Sequence, residues 1–487
     1  MKKWIWEAGL MAGGVLLALS GCSKETGSRQ PETEYGTAAY PEGSETPEQT
    51  EKPTHESPEE IAPFPNPEEE KPAEDMEGGW RIAFMTDIHY FSRDLTDMGE
   101  RFQAETEYGD GKLTSYVWEI TEAAFEDLKL VNPDVLVIGG DLSFQGEYES
   151  HEALAEKLDE VEASGIPVVV IPGNHDINNP SAARYSGKDR YPAEPASPED
   201  FVQIYEEFGY REAADRDTAS LSYTYDLGPS MRLLMLDSCQ YEPRNRVGGM
   251  ISTETYEWIR KELVKASEDE VCLIPVAHHN LLEESRVYAK DCTIEHSEEL
   301  IDLLEGQNLP LFLSGHLHVQ HFMQNNDMGI HEIVTSSLST PPCQYGVLEY
   351  REDDTFSYHT RQVDMEKWAR RNKSTDENLL NFNTYSQALL KRIFYNQAYG
   401  EMKDSKEGAP GGIFVKLTEE EKDQMALVYG EIKAAYYGGN AMEAVEKASR
   451  EPGYQLWSQY CYPIIPYEYL EYMIEDGVRD YNGLTVE

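Results

Sequence analysis

Six short apolar runs punctuate this chain, and several of them finish on residues that can hold a metal or move a proton. They are "RIAFMTDIH", "DVLVIGGDL", "IPVVVIPGNHD", "MRLLMLDS", "VCLIPVAHH" and "LPLFLSGHLH". Between the early ones lie amphipathic stretches with helical spacing, Ser115 to Leu130 and Glu147 to Ser164. Strands alternating with helices predict an α/β domain with a largely parallel sheet. Such sheets place ligands at the carboxyl ends of their strands, which is where these polar residues fall. Two later runs, "YGVLEYRE" and "TFSYHTRQV", read as strands joined by the acidic turn Asp353-Asp354.

Taken in order, the strand ends supply Asp87 and His89 in "TDIH", Asp141 in "GGDL", and Asn174, His175 and Asp176 in "GNHD". They continue with His278 and His279 in "AHHN", then His316 and His318 in "GHLH". Each is weak alone, since a lone aspartate is ordinarily a turn residue and a lone histidine a hydrogen-bonded core imidazole. Together, in fixed order after apolar strands, they point to a dinuclear metal site. Imidazole nitrogens mixed with carboxylate oxygens suit two divalent transition-metal ions, zinc, manganese, iron or cobalt, rather than calcium or magnesium alone. The i, i+2 spacing puts Asp87 and His89 on one side of a strand, if the strand persists that far. The glycines before Asp141 and Asn174 let the backbone turn sharply, and Gly315 frees the turn before His316. One aspartate can place an oxygen on each of two ions, and ions about 3.5–4 Å apart can clamp a phosphoryl group for in-line displacement.

This ordered set resembles the calcineurin-like metallophosphoesterase superfamily over about residues 80 to 350. The resemblance implies a two-sheet β-sandwich flanked by helices, with the metals at the sheets' carboxyl edge. It implies Asp87, His89 and His318 on the first metal, Asn174, His278 and His316 on the second, and Asp141 bridging. In the "HH" pair the ligand expected from the family is His278 rather than His279. His175 matches the residue that donates a proton to the leaving oxygen, its cationic form offsetting phosphate charge, with Asp176 steering its ring. Asn174 and His175 are then also expected to contact substrate. "GDLSFQG", "GNHD", the "HH" pair and "SSLSTPPCQYG" (residues 336–346) are similar to the branch containing class III cyclic-nucleotide phosphodiesterases and glycerophosphodiesterases. The activity this implies is attack of a metal-bridging hydroxide on a cyclic nucleotide or similar small phosphodiester. The alternatives are a phosphomonoesterase, a phosphodiesterase of glycerophosphodiesters, wall polymers or lipid headgroups, and a non-catalytic surface lipoprotein.

Charge narrows the partners. With 41 basic and 91 acidic residues the formal net charge is -50, which repels nucleic acid duplexes and anionic lipid. Two divalent ions would leave a locally cationic pit into which a small phosphodiester can be drawn. The start, "MKKWIWEAGLMAGGVLLALSGC", has the layout of a secretory signal. Its end, Leu19-Ser20-Gly21-Cys22, resembles a bacterial lipobox, implying a lipidated Cys22 and an extracytoplasmic protein anchored to the cell membrane. Residues 23 to 79 then read as a disordered, self-repelling Pro/Glu-rich spacer, roughly 3.1 Å per residue when extended.

Folded sequence is expected from Trp80, with a metallophosphoesterase domain over 80–363 and a helical, tyrosine-rich C-terminal domain over 364–487. In that tail Thr418 to Glu421 reads as a capping box, Gly438-Gly439 as a helix end and Asn440 as the next cap. Tyr436, Tyr437, Tyr467, Tyr469 and Tyr472 read as packing residues on helices laid against the α/β body, or as parts of a lid over the cleft. Cys239, Cys272, Cys292, Cys343 and Cys461 have no metal-site spacing and read as buried thiols, with one disulfide possible. His151, His296, His331 and His359 carry no motif and read as surface or packing residues, and His55 as idle. His321 is expected to face away from His316 and His318, since its offset from His318 is odd on a continuing strand.

Overall fold

A computed structural model describes residues 72–76, 78–287, 290–305, 311–325, 329–351, 355–406, 412–459 and 465–486. The expected signal with Cys22, nearly all of the spacer, the turn Asp353-Asp354 and Cys461 lie outside these residues.

The folded chain opens on β1 (Trp80–Met85), passes α1 (Glu100–Tyr108) and α2 (Val117–Val131), and pairs β2 (Val135–Gly139) in parallel with β1. Next, α3 (Tyr148–Ala163) returns it to β3 (Val168–Ile171), parallel to β2. A hairpin, β4 (Ala183–Ser186) and β5 (Asp189–Pro192), and α4 (Pro198–Ile204) follow. A second set runs β6 (Asp215–Arg216), β7 (Tyr223–Asp226), β8 (Met231–Leu236), β9 (Gly249–Met250), α5 (Thr253–Asp269) and β10 (Cys272–Ala277). It continues through β11 (Ile294–Glu295), α6 (Ser297–Leu304), β12 (Leu311–Ser314), β13 (His321–Asn325) and β14 (Ile330–Val334). β15 (Gln344–Tyr350) and β16 (Phe356–Gln362) pair antiparallel, and β15 lies against β1. The tail is α7 (Met365–Arg371), α8 (Glu377–Leu380), α9 (Phe382–Asp404), α10 (Glu419–Tyr437), α11 (Met442–Ala448), α12 (Pro452–Gln459), α13 (Ile465–Asp476) and β17 (Gly483–Val486).

Two mixed sheets result. One has six strands in the order β17-β16-β15-β1-β2-β3; the other has seven in the order β13-β14-β12-β10-β8-β7-β6. In the first, β1, β2 and β3 run parallel, joined by crossover helices, and β15, β16 and β17 add on, each antiparallel to its neighbour. In the second, β8, β10, β12 and β14 run parallel, with β13 antiparallel at one edge and β7 and β6, each antiparallel to its neighbour, at the other. Alternate residues of β8 explain the layering. Leu233 and Met235 join a core shared with Phe84, Val137 and Val347 of the other sheet, while Leu234 and Leu236 meet Trp258, Ile259 and Leu263 of α5. A strand covered on both faces reads as a continuous apolar run, as "LLML" does after Arg232, whose guanidinium pairs with Asp226 and Asp269 near the strand's start. Burying each such leucine contributes roughly 1.5–3 kcal/mol.

The capping box forms: Thr418 Oγ1 accepts from the Glu421 N–H, and the Glu421 carboxylate accepts from the Thr418 N–H. The helix it starts, α10, packs tightly on α9, for a Cβ on Gly430 would lie 2.6 Å from the Lys391 carbonyl oxygen. Asn440 is one residue out of the expected register. Ala441 occupies the cap position of α11, and Asn440 Oδ1 accepts from the Met442 N–H at 3.3 Å. The tail is also not wholly helical, because β17 leaves the helices and pairs with β16. Residues Pro72–Glu487 fall in one unit. Among the described residues no helix is long and apolar enough to cross a membrane, and Cys239, Cys272, Cys292 and Cys343 form no disulfide.

Candidate metal centre and active site

The strands stop short of the residues they deliver. β1 ends at Met85 and β12 at Ser314, so the i, i+2 strand argument for Asp87 and His89 does not hold. What aims these side chains is a left-handed backbone: φ is 53° at Asp87, 49° at His89, 50° at Asp141, 70° at His316 and 60° at His318. Non-glycine residues pay on the order of 1 kcal/mol each for that conformation, and such outliers gather at functional sites. The glycines divide by role. Gly140, at φ 97°, makes a true turn before Asp141. Gly173 and Gly315 are instead places of close approach, where an added Cβ would lie 2.1 Å from Asp141 N and 2.1 Å from Thr86 Oγ1.

Asp87, His89, Asp141 and His318 are all buried, and one ligand atom from each lies within 4.8 Å of the others. His318 Nε2 is 3.2 Å from Asp87 Oδ1 and 3.1 Å from His89 Nε2. On the far side of Asp141, His278 Nε2 is 3.4 Å from Asp141 Oδ2 and 3.2 Å from Asn174 Oδ1. The His316 ring lies 5.1 Å from the His278 ring, and the His316 N–H donates to Asp87 Oδ2. His278 Nδ1 is 2.9 Å from the Gly139 carbonyl and His316 Nε2 is 2.9 Å from the Asp291 carbonyl. Each carbonyl thus engages one nitrogen of its ring as a donor and leaves the other as the nitrogen that would ligate a metal. His279 has no nitrogen to spare, since Nδ1 meets Ser238 Oγ at 2.8 Å and Nε2 the Val247 carbonyl at 2.8 Å.

The electrostatics call for positive charge between these groups. Burial alone would raise the Asp141 carboxyl, yet His278 and His175 hold it well below the usual carboxylate range. Burial lowers His278, but the Asp141 charge beside it brings the ring up to about 9. Burial and the neighbouring His278 cation push His316 down to about 4, and burial with Lys112 pushes His89 well below its ordinary value. Asp87 Oδ1 and His89 Nδ1 are buried with no hydrogen-bond partner. An orphaned carboxylate oxygen among imidazoles is the donor set of a divalent transition-metal site.

His175 is held differently from expectation. Its Nδ1 donates to the Phe144 carbonyl at 3.0 Å and to Gln145 Oε1 at 3.2 Å, leaving Nε2 3.9 Å from Asp141 Oδ2. Asp176 does not steer the ring. Its carboxylate accepts from the N–H groups of Leu142, Ser143 and Gly173 and from Ser143 Oγ, tying two loops together. Burial takes the His175 ring down to about 4.

Sequence reading missed the supports. His151 is a brace as well as a packing residue: Nε2 reaches the Asp176 carbonyl and Nδ1 the Tyr205 hydroxyl, both at 2.9 Å. Gln145, inside the quoted "GDLSFQG", was legible as motif but not as the His175 partner. The serines of "SSLSTPP" turn out to hold a metal-site residue, as Ser337 and Ser339 hydroxyls donate to the Asp87 carbonyl. Asp110 and Lys112 had no signal at all; they come in from a loop after α1 and line the same small pocket as Asp141, Asn174, His175 and His318. His321 is outside the cluster, though not by strand parity, since it starts a new strand after a turn. It stacks on Tyr481 at 4.1 Å and meets Asp476 Oδ2 at 2.9 Å.

Comparison with known proteins agrees with this geometry. Residues 81–320 match the calcineurin-like phosphoesterase family, and residues 364–480 match the C-terminal domain of cyclic nucleotide phosphodiesterase. A "Probable cyclic nucleotide phosphodiesterase" of a Synechococcus strain is 27% identical over 207 residues, 42% of this chain and 66% of that protein. One of the same description from Moraxella catarrhalis is 22% identical over 200 residues, 41% of this chain and 63% of that one. The chain thus spans just under two thirds of the length of these relatives. A dimetal phosphatase from Danio rerio superposes with a TM-score of 0.42 at 15% identity, covering 59% of this chain and 97% of its own. The chain therefore carries a calcineurin-like metallophosphoesterase domain, followed by a C-terminal domain of the type found in cyclic nucleotide phosphodiesterases.

Proposed function

We propose that this protein is a dinuclear-metal phosphodiesterase acting on cyclic nucleotides or similar small phosphodiesters. The observation that carries the reading is the buried Asp/His cluster opening into a small pocket with His175 on its wall. In it Asp87, His89 and His318 would hold one ion and Asn174, His278 and His316 the other, with Asp141 between the two sets. Bound there, two divalent transition ions supply Lewis-acid activation of water and neutralise phosphoryl charge. The chain's own residues do the rest. Asn174 and His175 contact the phosphoryl group, and His175, oriented through Phe144 and Gln145, delivers a proton from Nε2 to the leaving oxygen. Because burial keeps the empty ring neutral, Nε2 takes its proton from solvent as the substrate binds, the substrate's anionic charge raising the imidazole beside it. The similarity to two probable cyclic nucleotide phosphodiesterases, and the match of residues 364–480 to the C-terminal domain of cyclic nucleotide phosphodiesterase, support the substrate class. The lipobox-like end at Cys22 supports a lipid-anchored, extracytoplasmic enzyme.

The test is a substrate panel on protein loaded in turn with manganese, iron, zinc and cobalt. Bis(4-nitrophenyl) phosphate should turn over faster than 4-nitrophenyl phosphate, and 3′,5′-cyclic nucleotides faster than glycerophosphodiesters. Preference for the monoester, or no turnover with two metals bound, overturns the reading. Loss of membrane association in Cys22→Ser checks the anchor separately.

A further inference from the structure

We infer that Lys112 is a phosphate-binding residue of this site, presented by Asp110 to the phosphoryl oxygens of a singly charged diester; this rests on the phosphodiesterase reading above. Lys112 is 4% exposed, yet its side chain lines the pocket shared with Asp141, Asn174, His175 and His318. A lysine is rarely buried unless paired. Its ammonium is 3.0 Å from Asp110 Oδ2 and lies over the Phe144 ring at 5.6 Å. Among the described residues Asp110 is its ion-pair partner. An ammonium has three donors, so the pair leaves N–H bonds for the pocket. The Phe144 carbonyl orients His175, which puts Lys112 on the same wall as the proton donor.

The loop is built to hold this position. Gly111 has φ 113°, and a Cβ there would lie 2.8 Å from Leu390 Cδ1 of α9. The Leu113 N–H donates to the Ser339 carbonyl at 2.8 Å, in the same stretch whose serines hold Asp87. Lysine binds phosphate as a point charge. As an ion pair, Asp110 and Lys112 add a directed donor while their charges cancel, so the pocket gains grip on a phosphodiester monoanion without gaining net attraction for a dianion.

The experiment uses the metal-loaded full chain and measures inorganic phosphate binding by calorimetry together with kcat and KM on bis(4-nitrophenyl) phosphate. Lys112→Met should weaken phosphate binding and raise KM about tenfold, the size of a lost charged hydrogen bond. Asp110→Asn should keep or tighten phosphate binding, because the lysine charge is uncovered. The double variant Asp110→Asn/Lys112→Met leaves no unpaired charge, so it tests the lysine where the single variant fails to fold. It should bind phosphate as weakly as Lys112→Met, with metal content unchanged. Phosphate affinity untouched in both lysine variants, no phosphate binding by the unaltered protein, or Asp110→Asn as damaging as Lys112→Met would each overturn the inference. Lysine-dependent phosphate binding without turnover by any variant overturns the phosphodiesterase reading alone; turnover with lysine-independent binding overturns this inference alone.

Discussion

His318 and His321 are three residues apart and sit in opposite kinds of buried polar group. His318 faces Asp87 and His89 in a cluster where a carboxylate oxygen and an imidazole nitrogen have no protein partner. His321 faces Asp476, which in turn accepts from the Tyr481 hydroxyl, and the single proton of the Tyr436 hydroxyl lies within reach of both Asp476 Oδ2 and Glu284 Oε1. In this second group the carboxylates and hydroxyls close on one another, and only the His321 Nδ1 is left without a hydrogen-bond partner. The same residue types thus serve two ends. Where hydrogen bonding is closed within the chain, a polar group locks the helical tail to the sheets; where it is left open among like charges, the group needs something from outside.

The comparison can be broken in order of effect. Asp141→Asn should lower turnover of bis(4-nitrophenyl) phosphate by on the order of 10²–10³-fold and reduce bound metal measured by elemental analysis, while the far-ultraviolet dichroism is kept. Full activity in that variant would erase the difference between the two groups. Asp476→Asn should do the reverse, destabilising the fold by about 2–3 kcal/mol in urea titration and leaving kcat within a few-fold. Its pH dependence has a definite sign. Burial raises the Asp476 carboxyl, but the His321 contact and the tyrosine hydroxyls bring it below its ordinary 3.8. Its stabilisation is therefore complete above that ordinary value and is lost as pH falls through the lower folded one. The stability gap between the unaltered protein and Asp476→Asn should close in that acid range; a gap constant with pH would remove the ionic part of the lock. Chelation should lower the melting temperature of the unaltered protein, since ions that bind only the folded state stabilise it, and should barely change that of Asp141→Asn. Smallest of all, Thr418→Ala should cost about 1 kcal/mol through the lost cap of α10, with activity untouched.

How much of this could be read beforehand follows the range of each interaction. The two helices after β1 and β2, and the capping box, are local patterns, and the chain shows them within a residue or two. The residues of the buried cluster are legible because strand ends converge in such folds, yet strand spacing does not aim Asp87 and His89, since left-handed turns leave no periodic trace. Asp176 adjoins His175 in sequence, which made it the natural partner for the ring. Its carboxylate instead spans 34 residues to Leu142 and 33 to Ser143. Lys112 and Asp110 lie beyond sequence logic for the same reason, as only packing against α9 and the segment after β14 carries them to the pocket. β17 was hidden by length, being four residues that gain their meaning from β16.

The left-handed turns at Asp87, His89, Asp141, His316 and His318 also say what would happen to this chain if its chemistry were no longer required. Asp87 and Asp141 also accept from the backbone N–H groups of His316 and His175, and His316 meets the Asp291 carbonyl, so at those three positions the strained turn is tied into the fold as well as the site. His89 and His318 meet only the cluster, so glycine or asparagine there would relax the backbone at the expense of the centre alone. A descendant that had lost its work would drift first at those two.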